Sequence, residues 1–161
     1  MKKTILTLLT IFYLTISCKN DSDPCTGVES DIISQIMVVE ITDVDGANLI
    51  ENGTYNAKSI YTELNGSKII PAVYDEIELP GLPEELKNVV IIQVFDSGPD
   101  NQTSMAIFLN DQEVDMLSMQ LAVQRTGCSG TFYDILEVTY NQEKIIYEDL
   151  NDNFYRITVV K

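Results

Sequence analysis

Apolar side chains in this chain recur at every second position, in short runs broken by turn residues, and no stretch beyond residue 17 carries a helical stripe of ten residues or more. The clearest run sets Leu117, Met119, Leu121 and Val123 against Ser118, Gln120, Ala122 and Gln124. A period of two puts alternate side chains on opposite faces of an extended strand, whereas a helix would need a period near 3.6. The body is therefore expected to be all-β.

The pattern predicts strands at residues 36–42, 58–64, 68–74, 89–95, 104–109, 117–123, 132–140, 144–147 and 154–160. Asn65-Gly66 is the strongest hairpin signal, because both turn positions of a two-residue loop require positive φ. Residues 36–42 and 89–95 are apolar nearly throughout, as strands covered on both faces are. In 132–140 strict alternation places Phe132, Leu136, Val138 and Tyr140 on one face and Tyr133, Ile135 and Thr139 on the other. Pro83 with Glu84 and Glu85 behind it could open a single helical turn. Eight or nine short strands without a repeat period point to a two-layer antiparallel β-sandwich, immunoglobulin-like or transthyretin-like in architecture.

The start of the chain follows other rules. Lys2 and Lys3, an apolar run from Ile5 to Ile16 and the small Ser17 are the three parts of a secretory signal. As a helix the run would rise about 18 Å, short of the ~30 Å that a membrane-spanning helix must cross. Leu14-Thr15-Ile16-Ser17-Cys18 resembles the lipobox of bacterial lipoproteins, in which the cysteine becomes the first, lipidated residue of the mature chain. The alternative is an ordinary signal with Cys18 as a disulfide partner. Two or more acyl chains at one residue make anchoring stable where a single chain is marginal. The expected organisation is a signal at residues 1–17, a lipidated Cys18 with its tether at 18–28, and a sandwich at 29–161. Lys19-Asn20-Asp21-Ser22-Asp23 also resembles the export tags of surface lipoproteins in the Bacteroidota, although a solvated tether reads the same way. The expected location is the outer membrane, surface-exposed or periplasm-facing.

Charge narrows the partners. The chain has 10 basic and 25 acidic residues, and two of the basic ones lie in the signal. Such a surface repels phosphate backbones, which excludes nucleic acid. The expected partners are a membrane, through the lipid, and a protein or glycan. Once Cys18 is assigned to lipid, Cys25 and Cys128 remain as an even pair outside the cytoplasm, where a disulfide is the default. A thiol pair is the alternative.

The absence of histidine excludes Ser-His-Asp, Cys-His and His-metal chemistry. There is no glycine-rich phosphate loop and no C-x-x-C. Paired carboxylates survive the screen, which keeps a carboxylate-based glycan hydrolase as an alternative to a non-catalytic binding domain, beside a structural envelope subunit. Asp43-Val44-Asp45-Gly46-Ala47-Asn48 has the look of a calcium loop, so Asp43, Asp45 and Asn48 are the candidate Ca²⁺ ligands. An EF-hand, however, would need ligands where Ile41 and Asn52 stand. Tyr133, Tyr147 and Tyr155 would form a glycan or protein platform if they shared an exposed face.

The lipobox, Val44-Asp45-Gly46-Ala47-Asn48-Leu49-Ile50, Ile60-Tyr61 with Leu64-Asn65-Gly66, and Cys128 followed by Val138-Thr139-Tyr140-Asn141 together resemble a loose set of Bacteroidota lipoproteins. That resemblance implies a β-sandwich of unassigned function and brings no site residues with it.

Overall fold

A computed structural model describes residues 35–70, 72–74, 86–95, 99–125, 131–151 and 153–161. Its ten strands among these residues are β1 (Gln35–Thr42), β2 (Tyr61–Leu64), β3 (Ser67–Ile69), β4 (Val90–Val94), β5 (Gln102–Phe108), β6 (Val114–Arg125), β7 (Thr131–Tyr140), β8 (Glu143–Ile145), β9 (Glu148–Asn151) and β10 (Phe154–Val160). They form a four-stranded sheet in the order β4-β1-β10-β9 and a six-stranded sheet in the order β3-β2-β5-β6-β7-β8. The all-β sandwich expected from the alternation is the fold observed.

The sandwich is not wholly antiparallel. β1 and β10 pair in parallel, from Ile36 beside Phe154 to Thr42 beside Val160. A parallel pair needs a long crossover, and here most of the domain between the two strands supplies it. Local alternation carries no sign of strand direction, so the sequence could not show this pairing.

Met37, Val39 and Ile41 of β1 face the six-stranded sheet and join Ile107, Leu117, Met119, Leu121 and Ile157 in the main core. Val38 points the other way, under Leu86 and Val89, with Ile36, Ile91 and Phe154 beside them. This second cluster explains why β1 is apolar on both faces.

Three departures from the expected strands have local causes. Residues 57–59 form a turn of 3-10 helix, capped by Asn56, which accepts from the Lys58 N–H, so β2 begins only at Tyr61. The single strand expected at 144–147 is two strands, because the chain leaves the six-stranded sheet after Ile145 and enters the other as β9. In β7 the register slips: Gln120 faces Glu137 while Leu121 faces Ile135, which leaves Leu136 as an extra residue. A bulge of this kind reverses the phase of the alternation beyond it. Ile135 is consequently 6% exposed and Leu136 60%, the reverse of strict alternation.

The Asn65-Gly66 hairpin forms as expected, with φ of 51° and 77°. A second tight hairpin, Asn141-Gln142, holds two non-glycine residues at positive φ, 49° and 71°, a conformation that is uncommon without glycine. The Asn141 side chain accounts for that choice. It accepts from the Met116 N–H at 2.8 Å and donates to Asp115 at 2.6 Å, which glycine could not do.

Candidate functional site

At the end of the sandwich where β1 and β10 finish, five charged or phenolic side chains form one connected network. Asp115, at the start of β6, is 3% exposed. Its Oδ2 accepts from the Tyr140 hydroxyl at 2.7 Å and meets Lys161 Nζ at 2.6 Å, while Oδ1 accepts from Asn141 Nδ2 at 2.6 Å. Lys161 Nζ also reaches Glu113 Oε1 at 2.8 Å, and Glu113 Oε2 accepts from the Tyr55 hydroxyl at 2.8 Å. Lys161 N–H donates to the Thr42 carbonyl, which fixes its backbone beside β1. The cation thus comes from the four-stranded sheet side and its carboxylates from the six-stranded sheet side.

Burial pushes the Asp115 carboxyl up, but hydrogen bonds from Asn141, Lys161 and Tyr140 and the charge of Lys161 outweigh it and hold the group below its ordinary value. Desolvation pulls Lys161 down, and its bonds to Asp115 and Glu113 with their charges more than compensate, leaving it raised. Tyr55 is pushed up to about 12 by burial and by its bond to Glu113. Tyr140 is raised by burial and by the Asp115 carboxylate. Asp115 is therefore a closed anion and Lys161 a closed cation at neutral pH. The arrangement clamps the two sheets together, and the lowered Asp115 is not poised as a general acid, which needs a raised pKa.

The calcium-loop candidates form a self-braced turn. Asp43 Oδ1 accepts the N–H groups of Asp45 at 2.9 Å and Ala47 at 2.8 Å. Asn48 Oδ1 accepts those of Ile50 and Glu51, and its Nδ2 donates to the Asn88 carbonyl at 3.0 Å. Among the described residues no three His, Cys, Asp or Glu converge to hold a metal ion. Asp43 Oδ1 and Asn48 Oδ1 are engaged in shaping the loop.

That loop forms one wall of a groove of about 750 Å³ on the outer face of the four-stranded sheet. Glu40 and Arg156, on the neighbouring strands β1 and β10, lie at its floor. Asn48, Glu51 and Asn52 line one side, and Lys87, Asn88 and Val89 line the other. The Asn48 to Asn88 hydrogen bond braces the two walls. Polar side chains outnumber the apolar Ala47 and Val89 among the described lining residues.

The tyrosine platform does not form. Tyr133, Tyr147 and Tyr155 are half-buried against the main core. Tyr147 and Tyr155 meet edge to face at 5.8 Å, the Tyr147 hydroxyl donates to the Ile135 carbonyl, and Tyr155 accepts from Gln35. Another half-buried aromatic pair lies elsewhere. Tyr61 and Phe108 stack at 4.4 Å on the outer face of the six-stranded sheet, with Lys68 Nζ 3.5 Å from the centre of the Tyr61 ring. Both faces of Tyr61 are thereby covered, which removes it as a stacking surface for a sugar.

Cys18, Cys25 and Cys128 lie outside the described residues. Gln35, the first described residue of β1, donates through Nε2 to the Tyr133 carbonyl at 2.7 Å and accepts from the Tyr133 N–H at 2.7 Å. β1 and β7 therefore meet through Gln35 and Tyr133 at the end of the sandwich opposite the Asp115 network. Sequence reading missed Asp115, Lys161 and Gln35, because one acid among 25 or one amide in a strand carries no local signal. Compared with protein-family models, curated proteins and solved structures, the chain matches none.

Proposed function

We propose that this protein is a lipid-anchored, non-catalytic binding domain of the bacterial outer envelope, holding a polyhydroxylated ligand of glycan type in the groove between residues 46–52 and 87–89. The groove is the observation that carries this reading. Its volume falls in the range of small-ligand sites, ~300–1,000 Å³, and its asparagine and charged lining suits hydroxyls, each of which both donates and accepts. The pairing of Glu113 and the buried Asp115 with Lys161 speaks against a hydrolase.

Anchorage through Cys18 would hold the domain from the Gln35 end. Fully extended, the segment from Cys18 to Gln35 reaches at most about 60 Å. The groove lies toward the other end, where β1 finishes, and would face away from the membrane. A Cys25–Cys128 disulfide would lock the Gln35 end beside the tether. Intact mass should rise by two hydrogen atoms on reduction, and an unchanged mass would remove the bridge.

Titrating isotope-labelled protein with neutral oligosaccharides should shift the side-chain amide resonances of Asn48, Asn52 and Asn88 saturably, and Asn52→Ala should weaken the response. Saturable shifts confined to other surfaces, or none up to millimolar sugar, would refute the groove as the site.

A further inference from the structure

The second surface with unmet bonding capacity is a strand edge. In the parallel pair, Lys161 N–H donates to the Thr42 carbonyl. A strand residue directs its N–H and its C=O to the same side and alternates along the chain, so Tyr155, Ile157, Val159 and Lys161 bond β1. Arg156, Thr158 and Val160 then point the other way, toward β9. β9 covers only part of that edge: its register with β10 runs from Asn151 beside Phe154 to Glu148 beside Arg156 and stops. The N–H and C=O groups of Thr158 and Val160 have no backbone partner among the described residues. Both residues are exposed, Val160 at 59%.

This bare edge borders a cleft of about 350 Å³ between the sheets, with Thr158 to Lys161 on one side and Tyr140, Asn141 and Glu143 to Ile145 on the other. A strand residue takes up about 3.3 Å along the strand, ~4.8 Å across it and ~10 Å between sheets, on the order of 160 Å³. The cleft therefore matches two residues of an added strand. A residue placed opposite Val159 would turn its side chain inward, as Val159 does, toward Ile145 and Tyr140. Its two neighbours would bond Thr158 and Val160 and turn outward.

Charge selects the occupant. The two cations at the cleft are already neutralised, Lys144 by Glu137 at 2.6 Å and Lys161 by Glu113 and Asp115. Glu143 in the cleft and Glu148 at the end of β9 are exposed. The whole chain carries a formal charge of −15, which opposes pairing with a second copy and favours a basic partner. We propose that the Thr158–Val160 edge of β10 accepts an extended basic segment of another protein, alternating apolar and basic residues, as an added strand. The site is separate from the groove, and neither depends on the other.

The test uses the N-acetylated peptide Lys-Val-Lys-Val-Lys-amide and amide exchange read by nuclear magnetic resonance on the whole protein. In the free protein the Thr158 and Val160 amides should exchange fast and the Ile157 and Val159 amides slowly. The peptide should shift and protect the first pair and leave the second unmoved. Val160→Pro removes an outward donor and no bond to β1, so the fold should persist. Peptide binding should weaken about tenfold, the effect of one hydrogen bond of ordinary net worth. Three results would overturn the proposal: no change at Thr158 and Val160 at millimolar peptide, equal binding of Glu-Val-Glu-Val-Glu-amide, or protection of both amides that rises with protein concentration, which would mean pairing with a second copy.

Discussion

Asp115→Ala should destabilise the protein by about 3 kcal/mol, because removing one partner of a buried ion pair leaves the other charge less well compensated. Lys161 would keep Glu113, while Tyr140 and Asn141 would each lose an acceptor. The estimate sits at the low end of the range for such pairs because the Lys161 side chain is 20% exposed. For a domain of this length the loss should read as a fall in Tm of about 10 °C. Removing both charges, with Asp115→Ala and Lys161→Met together, should cost less than the two single changes summed. A fall of less than 2 °C for Asp115→Ala would show that the network does not clamp the sheets.

The same network sets a pH window. The folded pKa of Asp115 lies below its unfolded value, so its contribution is present above about pH 4 and is lost as pH falls through the folded value. Lys161 and Tyr55 are raised in the folded state, and their contribution is complete below about pH 10 and is lost as pH rises further. Stability should be flat between these limits, and Asp115→Ala should flatten the acid limb in particular.

Ile135→Ala should cost about 3 kcal/mol, while Leu136→Ser should cost less than about 0.5 kcal/mol. Ile135 belongs to the main core and Leu136 stands in solvent on the bulge. Strict alternation along β7 would give the opposite order, so chemical denaturation of the two variants separates the bulged register from the regular one. Equal costs would refute the bulge.

These cases show what a single chain discloses. The Asn65-Gly66 hairpin was legible because its requirement, two positive φ angles, is local to two residues. The double-sided burial of β1 was legible as an apolar run, since covering both faces removes the polar half of the pattern. The bulge at Leu136 was not, because it depends on the register with β6 and leaves no mark in composition. Nor was the β1–β10 pairing, which joins the two ends of the domain. Tyr133, Tyr147 and Tyr155 look alike in sequence whether they cover a core or face a ligand. Their packing against the main core decides that they cover it. The groove was half legible: Asp43 to Asn48 was visible as an acidic turn, but the opposite wall at Asn88 comes from a distant segment.

Display of the groove away from a membrane requires an anchor at Cys18. Metabolic labelling with palmitate, comparing the wild-type chain with Cys18→Ala, tests this most directly. The wild type should take up label and fractionate with the outer membrane, and the variant should do neither. Equal labelling of the two proteins, or none in either, would contradict the anchored-domain account.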